Sequence, residues 1–153
     1  MSINIYRYGE RKGLAGLCIG VARHLPRGVR RADYVRKGYF DVWLPTLAPS
    51  PEIVAAYRHG KITLRVFSAR YHREMRRPDA RHAIALLAAV SRNQPIHLGC
   101  YCEDPERCHR TLLAKLVERA VTETGAARAA RGTTGASHSG FASPACSMPE
   151  IAD

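Results

Sequence analysis

Ile96-His97-Leu98-Gly99-Cys100-Tyr101-Cys102-Glu103-Asp104-Pro105-Glu106-Arg107-Cys108-His109-Arg110 decides how this chain is read. Ile96–Cys102 is a short, largely apolar run of the kind that forms a buried strand. Asp104-Pro105-Glu106 then carries helix-start chemistry. Aspartate caps, proline fits the first turn, and glutamate favours the positive end of the helix dipole. Leu112, Leu113, Leu116, Val117 and Ala120 follow at helical spacing and predict a buried helix face. Three of the five cysteines lie in the loop between strand and helix or beside it. Open α/β folds build their sites at such strand ends.

The same alternation of elements extends back along the chain. Ile3–Tyr8 alternates apolar and polar residues and predicts a first strand. Leu17-Cys18-Ile19-Gly20-Val21-Ala22 predicts a buried parallel strand, ended by the loop Arg23-His24-Leu25-Pro26-Arg27-Gly28. Phe40–Pro45 is a third candidate strand, stopped by its proline. Ser50-Pro51-Glu52 predicts a helix start, with the helix stopping at Gly60. Leu64, Phe67, Tyr71 and Met75 form an apolar stripe, with arginines pointing elsewhere. Asp79 is placed to cap a third helix, whose buried face is Ala80, Ile84, Leu87 and Val90. Strands interleaved with helices predict an α/β fold. The expectation is a single compact domain over residues 1–124, with a small, mainly parallel sheet flanked by helices. In residues 125–153, Gly, Ala, Ser, Thr and Pro make up 20 of 29, which predicts a disordered tail with an incidental Cys146.

Bulk composition narrows the classes. A chain of 153 residues can bury a core without disulfides. No apolar run is long enough to cross a membrane, and Met1–Arg7 has no basic segment followed by an apolar one. A cytoplasmic location with reduced thiols is therefore expected. Net charge is +11, from 24 Lys+Arg against 13 Asp+Glu, and lysine occurs only at 12, 37, 61 and 115. Arginine suits bidentate contacts to phosphate, so the expected partner is a phosphate-bearing ligand or nucleic acid. The alternative is that excess charge only keeps the chain soluble.

The cysteine loop admits three readings. As a metal site, Cys100, Cys102, Cys108 and His109 offer three thiolates and an imidazole, a set that zinc accepts. Against this, the chain has no C-x-x-C pair, and Cys108 and His109 diverge by about 100° if both are helical. As a nucleophilic site, a cysteine at a strand end facing a helix has a lowered pKa, and the candidate catalytic residues are Cys102, Cys108, His109 and Arg110. Cysteine phosphatases and rhodaneses use a strand–loop–helix of this kind, but the cysteine–arginine spacing here is longer. Glu103, Asp104 and Glu106 would also repel a phosphate cradled in the loop. As a structural feature, Cys100 and Cys102 are small core residues.

A second constellation is basic. Arg23, Arg27, Arg30, Arg31, Arg36 and Lys37 lie within fifteen residues, opposed only by Asp33. Beginning at a strand end, they suit a phosphate or phosphodiester. The arginine-rich helix from Leu64 to Arg77 adds a second basic surface. There is no G-x-G-x-x-G. His59-Gly60-Lys61-Ile62-Thr63 lacks the earlier glycine of a P-loop, and Pro105-Glu106-Arg107-Cys108 lacks the second cysteine of a zinc deaminase.

Several short pieces occur together: Arg23 with Pro26-Arg27-Gly28, Trp43-Leu44, Leu47-Ala48-Pro49-Ser50-Pro51-Glu52, Phe67 with Arg70-Tyr71 and Glu74, and Cys108-His109-Arg110. In this combination the chain resembles the YeaO-like family, domain of unknown function 488, over roughly Ile3 to Val121. The resemblance implies a compact cytosolic α/β domain and brings no established reaction. Ala22 and Leu25 stand where family members commonly carry an acidic residue and a tryptophan. Short members often lack the cysteines, so a role shared by the whole family would rest on the arginines.

The leading expectation is an anion-binding domain. Arg23, Arg27, Arg30, Arg31 and Arg110 would hold the anion, with His109 as hydrogen-bond donor or acid/base. The second is a thiol- or zinc-dependent enzyme at Cys100, Cys102, Cys108 and His109. The third is a non-enzymatic interaction module.

Overall fold

The computed structural model describes residues 2–131, with side chains as far as Ala126. The chain forms β1 (Ile3–Arg7), β2 (Leu17–Gly20), β3 (Val42–Trp43), α1 (Pro51–Arg58), α2 (Leu64–Glu74), α3 (Pro78–Val90), β4 (Ile96–Cys100) and α4 (His109–Arg131). Short 3-10 turns at Arg31–Asp33 and Pro45–Leu47 flank β3.

The four strands make one sheet in the order β1-β4-β2-β3. Every pairing is parallel, so the sheet is wholly rather than mainly parallel. Ile3 pairs with Ile96 and Leu17 also pairs with Ile96, so β4 is inserted between the first two strands. All five residues of β4 are buried, as a central parallel strand requires.

Side chains alternate along these strands and feed two cores. Ile19, Val21, Ile96 and Leu98 join Ile53, Phe67, Tyr71, Leu87, Leu113 and Val117, so the helices share one core with one face of the sheet. The opposite face carries a smaller, aromatic core of Tyr6, Tyr8, Cys18, Tyr34 and Phe40. Helices therefore do not flank the sheet on both sides. The segment from Ala22 to Trp43 covers the second face instead. Gly20 and Gly99 make that covering possible. An ideal Cβ at Gly99 would lie 2.4 Å from the Tyr6 ring, and one at Gly20 would lie 2.4 Å from the Phe40 ring.

Local starts and stops differ from expectation in informative places. The third strand shrinks to Val42–Trp43 because Asp41 turns back to β2, its carboxylate accepting from the Cys18 N–H at 3.0 Å. Helix α3 begins at Pro78, with Asp79 in its first turn rather than at its cap. Asp104-Pro105-Glu106 does not begin α4. The Asp104 carboxylate accepts from the Glu106 N–H at 2.9 Å, an Asx turn that competes with helix. The helix waits until His109 and runs to Arg131, so its last turns extend into the segment from residue 125. Residues 132–153, the rest of the expected tail with Cys146, lie outside the described residues.

Gly16 sets the entry into β2. Its φ is +109°, and a Cβ there would stand 2.2 Å from the Pro95 carbonyl oxygen. That same oxygen accepts from the Leu17 N–H at 3.0 Å. Gly16→Ala combines backbone strain with overpacking, and a loss of about 2 kcal/mol is expected. A urea denaturation midpoint unchanged from wild type would contradict this.

Candidate functional site

The C-terminal ends of β1, β2 and β4 meet the first turn of α4, and the loop after β4 brings three thiols together there. Cys100 ends β4 and is buried. Cys102 is exposed, and Cys108 is buried just before the helix. The Cys100 thiol donates to the Cys102 sulfur at 3.8 Å. All three sulfurs lie within 4.8 Å of one another. Two short excursions of the chain produce this. Cys100 and Cys102 share a face at the strand end, and the turn at 104–106 reverses the chain so that Cys108 returns beneath them.

His109 is 6% exposed and fixed at both ends of its ring. Its Nε2 lies 2.9 Å from the Val21 carbonyl oxygen. A carbonyl can only accept, so Nε2 carries the proton and Nδ1 presents a lone pair. Nδ1 stands 3.8 Å from the Cys108 sulfur. The two neighbours meet because Cys108 precedes the helix instead of lying in it. The Tyr71 ring stands edge-on to the imidazole at 5.7 Å, and the Tyr71 hydroxyl donates to the Leu47 carbonyl at 2.8 Å. Tyr71 was legible only as part of an apolar stripe. The hydroxyl in that stripe is the signal that it touches something polar.

Arg110 is 3% exposed. Its Nη1 donates to the main-chain carbonyls of Tyr6 at 3.0 Å, Cys102 at 2.9 Å and Cys100 at 3.4 Å. Its Nε is buried with no partner among the described residues. Arg110 thus ties the ends of β1 and β4 to α4. Arg23 does comparable work. Its Nε donates to the Pro49 carbonyl and its Nη2 to the Ala48 carbonyl, both at 3.0 Å. The other arginines expected to hold an anion are exposed. Arg30 pairs with Asp33 at 3.3 Å with its side chain 84% exposed, a pair worth little in water. Arg27 and Arg31 form no ion pair among the described residues.

Charge divides unevenly over the three thiols. The Cys102 pKa is lowered, first by hydrogen bonds from Cys100 and Cys108, then by the charges of His109 and Arg110, against some desolvation. The Cys100 thiol is raised, chiefly by its hydrogen bond to Cys102. Cys108 is raised by its hydrogen bonds to the other two thiols and by burial. The sulfur of Cys102, the least buried of the three residues, is therefore the one that ionises most readily, with the buried Cys100 S–H donating to it. Such a cluster can act as a nucleophile. It can also hold a metal. Tetrahedral zinc with thiolates at about 2.3 Å requires sulfurs roughly 3.8 Å apart, and the Cys100–Cys102 spacing is 3.8 Å. His109, with its far nitrogen bound to a carbonyl, is oriented as metal-ligating histidines are. It does not fall within the 4.8 Å group of the three sulfurs.

Burial holds the His109 pKa below its ordinary 6.5, and Arg110 and Arg23 reinforce this against the Val21 carbonyl and Cys102. The folded protein thus resists taking up a proton that the unfolded chain accepts below about pH 6.5. Stability contributed by the neutral ring is present above that pH and is lost as the pH falls. The loss grows by at most about 1.4 kcal/mol for each pH unit below 6.5. Urea unfolding of wild type and H109Q at pH 7 and pH 5.5 measures it. Equal pH dependence in the two proteins would contradict the assignment.

A family model described as the active DUF488-N3 subclade, DUF488-N3a, matches residues 3–121. The chain belongs to the DUF488-N3a family. The match runs from the first strand to the middle of α4 and contains the whole cysteine cluster. No curated protein and no solved structure matches the chain. Among the described residues of this DUF488-N3a domain, no helix is long and apolar enough to cross a membrane.

Proposed function

We propose that this DUF488-N3a domain is a thiol-dependent enzyme whose nucleophile is Cys102. One observation carries the reading. Of three sulfurs within 4.8 Å, only that of Cys102 belongs to an exposed residue. The thiolate would displace a leaving group from an electrophilic centre at the mouth of the parallel sheet: the new bond to sulfur forms as the bond to the leaving group breaks, and that group departs with its electron pair and takes a proton from water. The Cys100 S–H stabilises the thiolate, and the single Cys108 proton is shared between that thiolate and the His109 Nδ1 lone pair, 3.8 Å from the Cys108 sulfur. Arg110 is a positioning residue, because its Nη1 is occupied by carbonyls. An anionic substrate would meet the exposed Arg27, Arg30 and Arg31 rather than Arg23 or Arg110. The description of the family as an active subclade supports an enzyme reading.

Zinc held by Cys100, Cys102 and Cys108 is the competing reading, favoured by the 3.8 Å sulfur spacing. One experiment separates the two. Protein purified without chelator is assayed for metal and labelled with iodoacetamide at pH 6. Fast labelling at Cys102, mapped by peptide mass, with no bound metal, supports the nucleophile. About one zinc per chain, with labelling only after chelation, overturns it in favour of a metal centre. No thiol faster than free cysteine, and no metal, overturns both.

A further inference from the structure

The chain concentrates its excess charge away from the cysteine cluster. Residues 58–82 contain Arg58, Lys61, Arg65, Arg70, Arg73, Arg76, Arg77 and Arg81 but only two acids, Glu74 and Asp79. Both acids are engaged. The Glu74 carboxylate turns to the loop before α1 and accepts from the Ser50 N–H at 2.9 Å. Asp79 pairs with Arg77 at 3.2 Å. Arg65, Arg70, Arg73 and Arg76 are exposed, and none has an acidic partner among the described residues.

Helix geometry places these cations together. Phe67 and Tyr71 are the buried residues of α2. Taking about 100° per residue, Arg65, Arg70 and Arg73 spread over roughly 140° of the outward arc. Arg76 follows directly beyond the helix end. The surface is a ridge of guanidinium groups whose nearest acid, Glu74, is turned to the Ser50 N–H and pairs with none of them. Arginine presents a planar fork that matches phosphate oxygens, and a ridge of four suits a row of phosphates better than one small anion.

We infer that the outward face of α2, with Arg65, Arg70, Arg73 and Arg76, binds the phosphodiester backbone of nucleic acid. The contact is to backbone, so it is independent of sequence. It stands apart from the cysteine chemistry and does not depend on it.

The test uses a fluorescein-labelled DNA duplex of mixed sequence and anisotropy titrations from 50 to 200 mM salt. Neutralising about four phosphates gives a log–log salt slope near −3.6, or roughly a hundredfold loss of affinity across that range. The R65S/R70S/R73S/R76S variant should bring the slope close to zero and weaken binding at low salt by at least about tenfold. R119S, which removes an exposed cation of α4, should leave the slope unchanged. The single variant R73S, which removes one exposed side chain, should reduce the slope by about one unit, so the inference can be judged even if the fourfold variant folds poorly. An unchanged slope in the α2 variants overturns the inference. So does tighter binding to phosphatidylserine vesicles than to duplex through the same arginines, which would make the ridge a membrane-facing surface.

Discussion

Replacing Cys102 with serine is expected to remove the one fast-reacting thiol of the cluster. At pH 6 an ordinary thiol, with a pKa of about 8.5, is about 0.3% thiolate. A sulfur that is wholly thiolate at this pH has roughly three-hundredfold more of the reactive form. Its lower basicity makes each thiolate less nucleophilic and takes back most of that gain, leaving a rate advantage of about tenfold at most. C102S should lose this advantage. C108A should keep a fast thiol at residue 102 but shift its titration upward, because alanine removes one of the stabilising donors. The measurement is the second-order rate of iodoacetamide labelling between pH 5 and 9 for the three proteins. A fast thiol that survives in C102S would place the nucleophile elsewhere.

Arg110→Met should be among the most damaging single changes in the domain. The guanidinium satisfies the carbonyls of Tyr6 and Cys102 at 3.0 and 2.9 Å in a site 3% exposed. Methionine fills much of the volume but donates nothing. A buried carbonyl left without its donor costs about 1–3 kcal/mol and the Cys102 carbonyl is only partly buried, so a loss of about 2 kcal/mol is expected. Arg110→Lys should not restore it, since one ammonium on a flexible stem does not reproduce the planar fork. The Cys102 titration should move up in both variants: in R110M because a nearby positive charge is lost, in R110K because the strand end that carries Cys102 is no longer held. Thermal unfolding and thiol labelling read the two effects separately. R110M with unchanged stability would show that the three carbonyl contacts are not limiting.

The architecture was legible because its signals are local. Buried strands such as Leu17–Gly20 and Ile96–Cys100 are apolar runs, and the Phe67–Tyr71–Met75 stripe has the helical period. The loop of thiols was legible as a place but not as an arrangement. Nothing in the spacing of Cys102 and Cys108 shows that an Asx turn at Asp104 reverses the chain between them. Arg23 and Arg110 read as ligands because charge is visible in sequence, whereas the main-chain carbonyls that occupy them carry no residue signature. Helix-start chemistry misled at Asp104 for the same reason. A short polar side chain can cap a helix or close its own turn, and the choice depends on where Cys108 and His109 find partners.

The strand order has a kinetic consequence. β1 and β2 do not pair with each other, because β4, made some seventy-five residues after β2 ends, lies between them. During synthesis the first ninety-five residues hold only the short β2–β3 pairing, and the sheet closes when Ile96–Cys100 emerges and slots into place. Contacts of such long sequence separation make for slow folding. A chain truncated before Ile96 should be an unfolded, chaperone-dependent species. The cysteine cluster, which β4 itself delivers, would then exist only in molecules whose folding is complete.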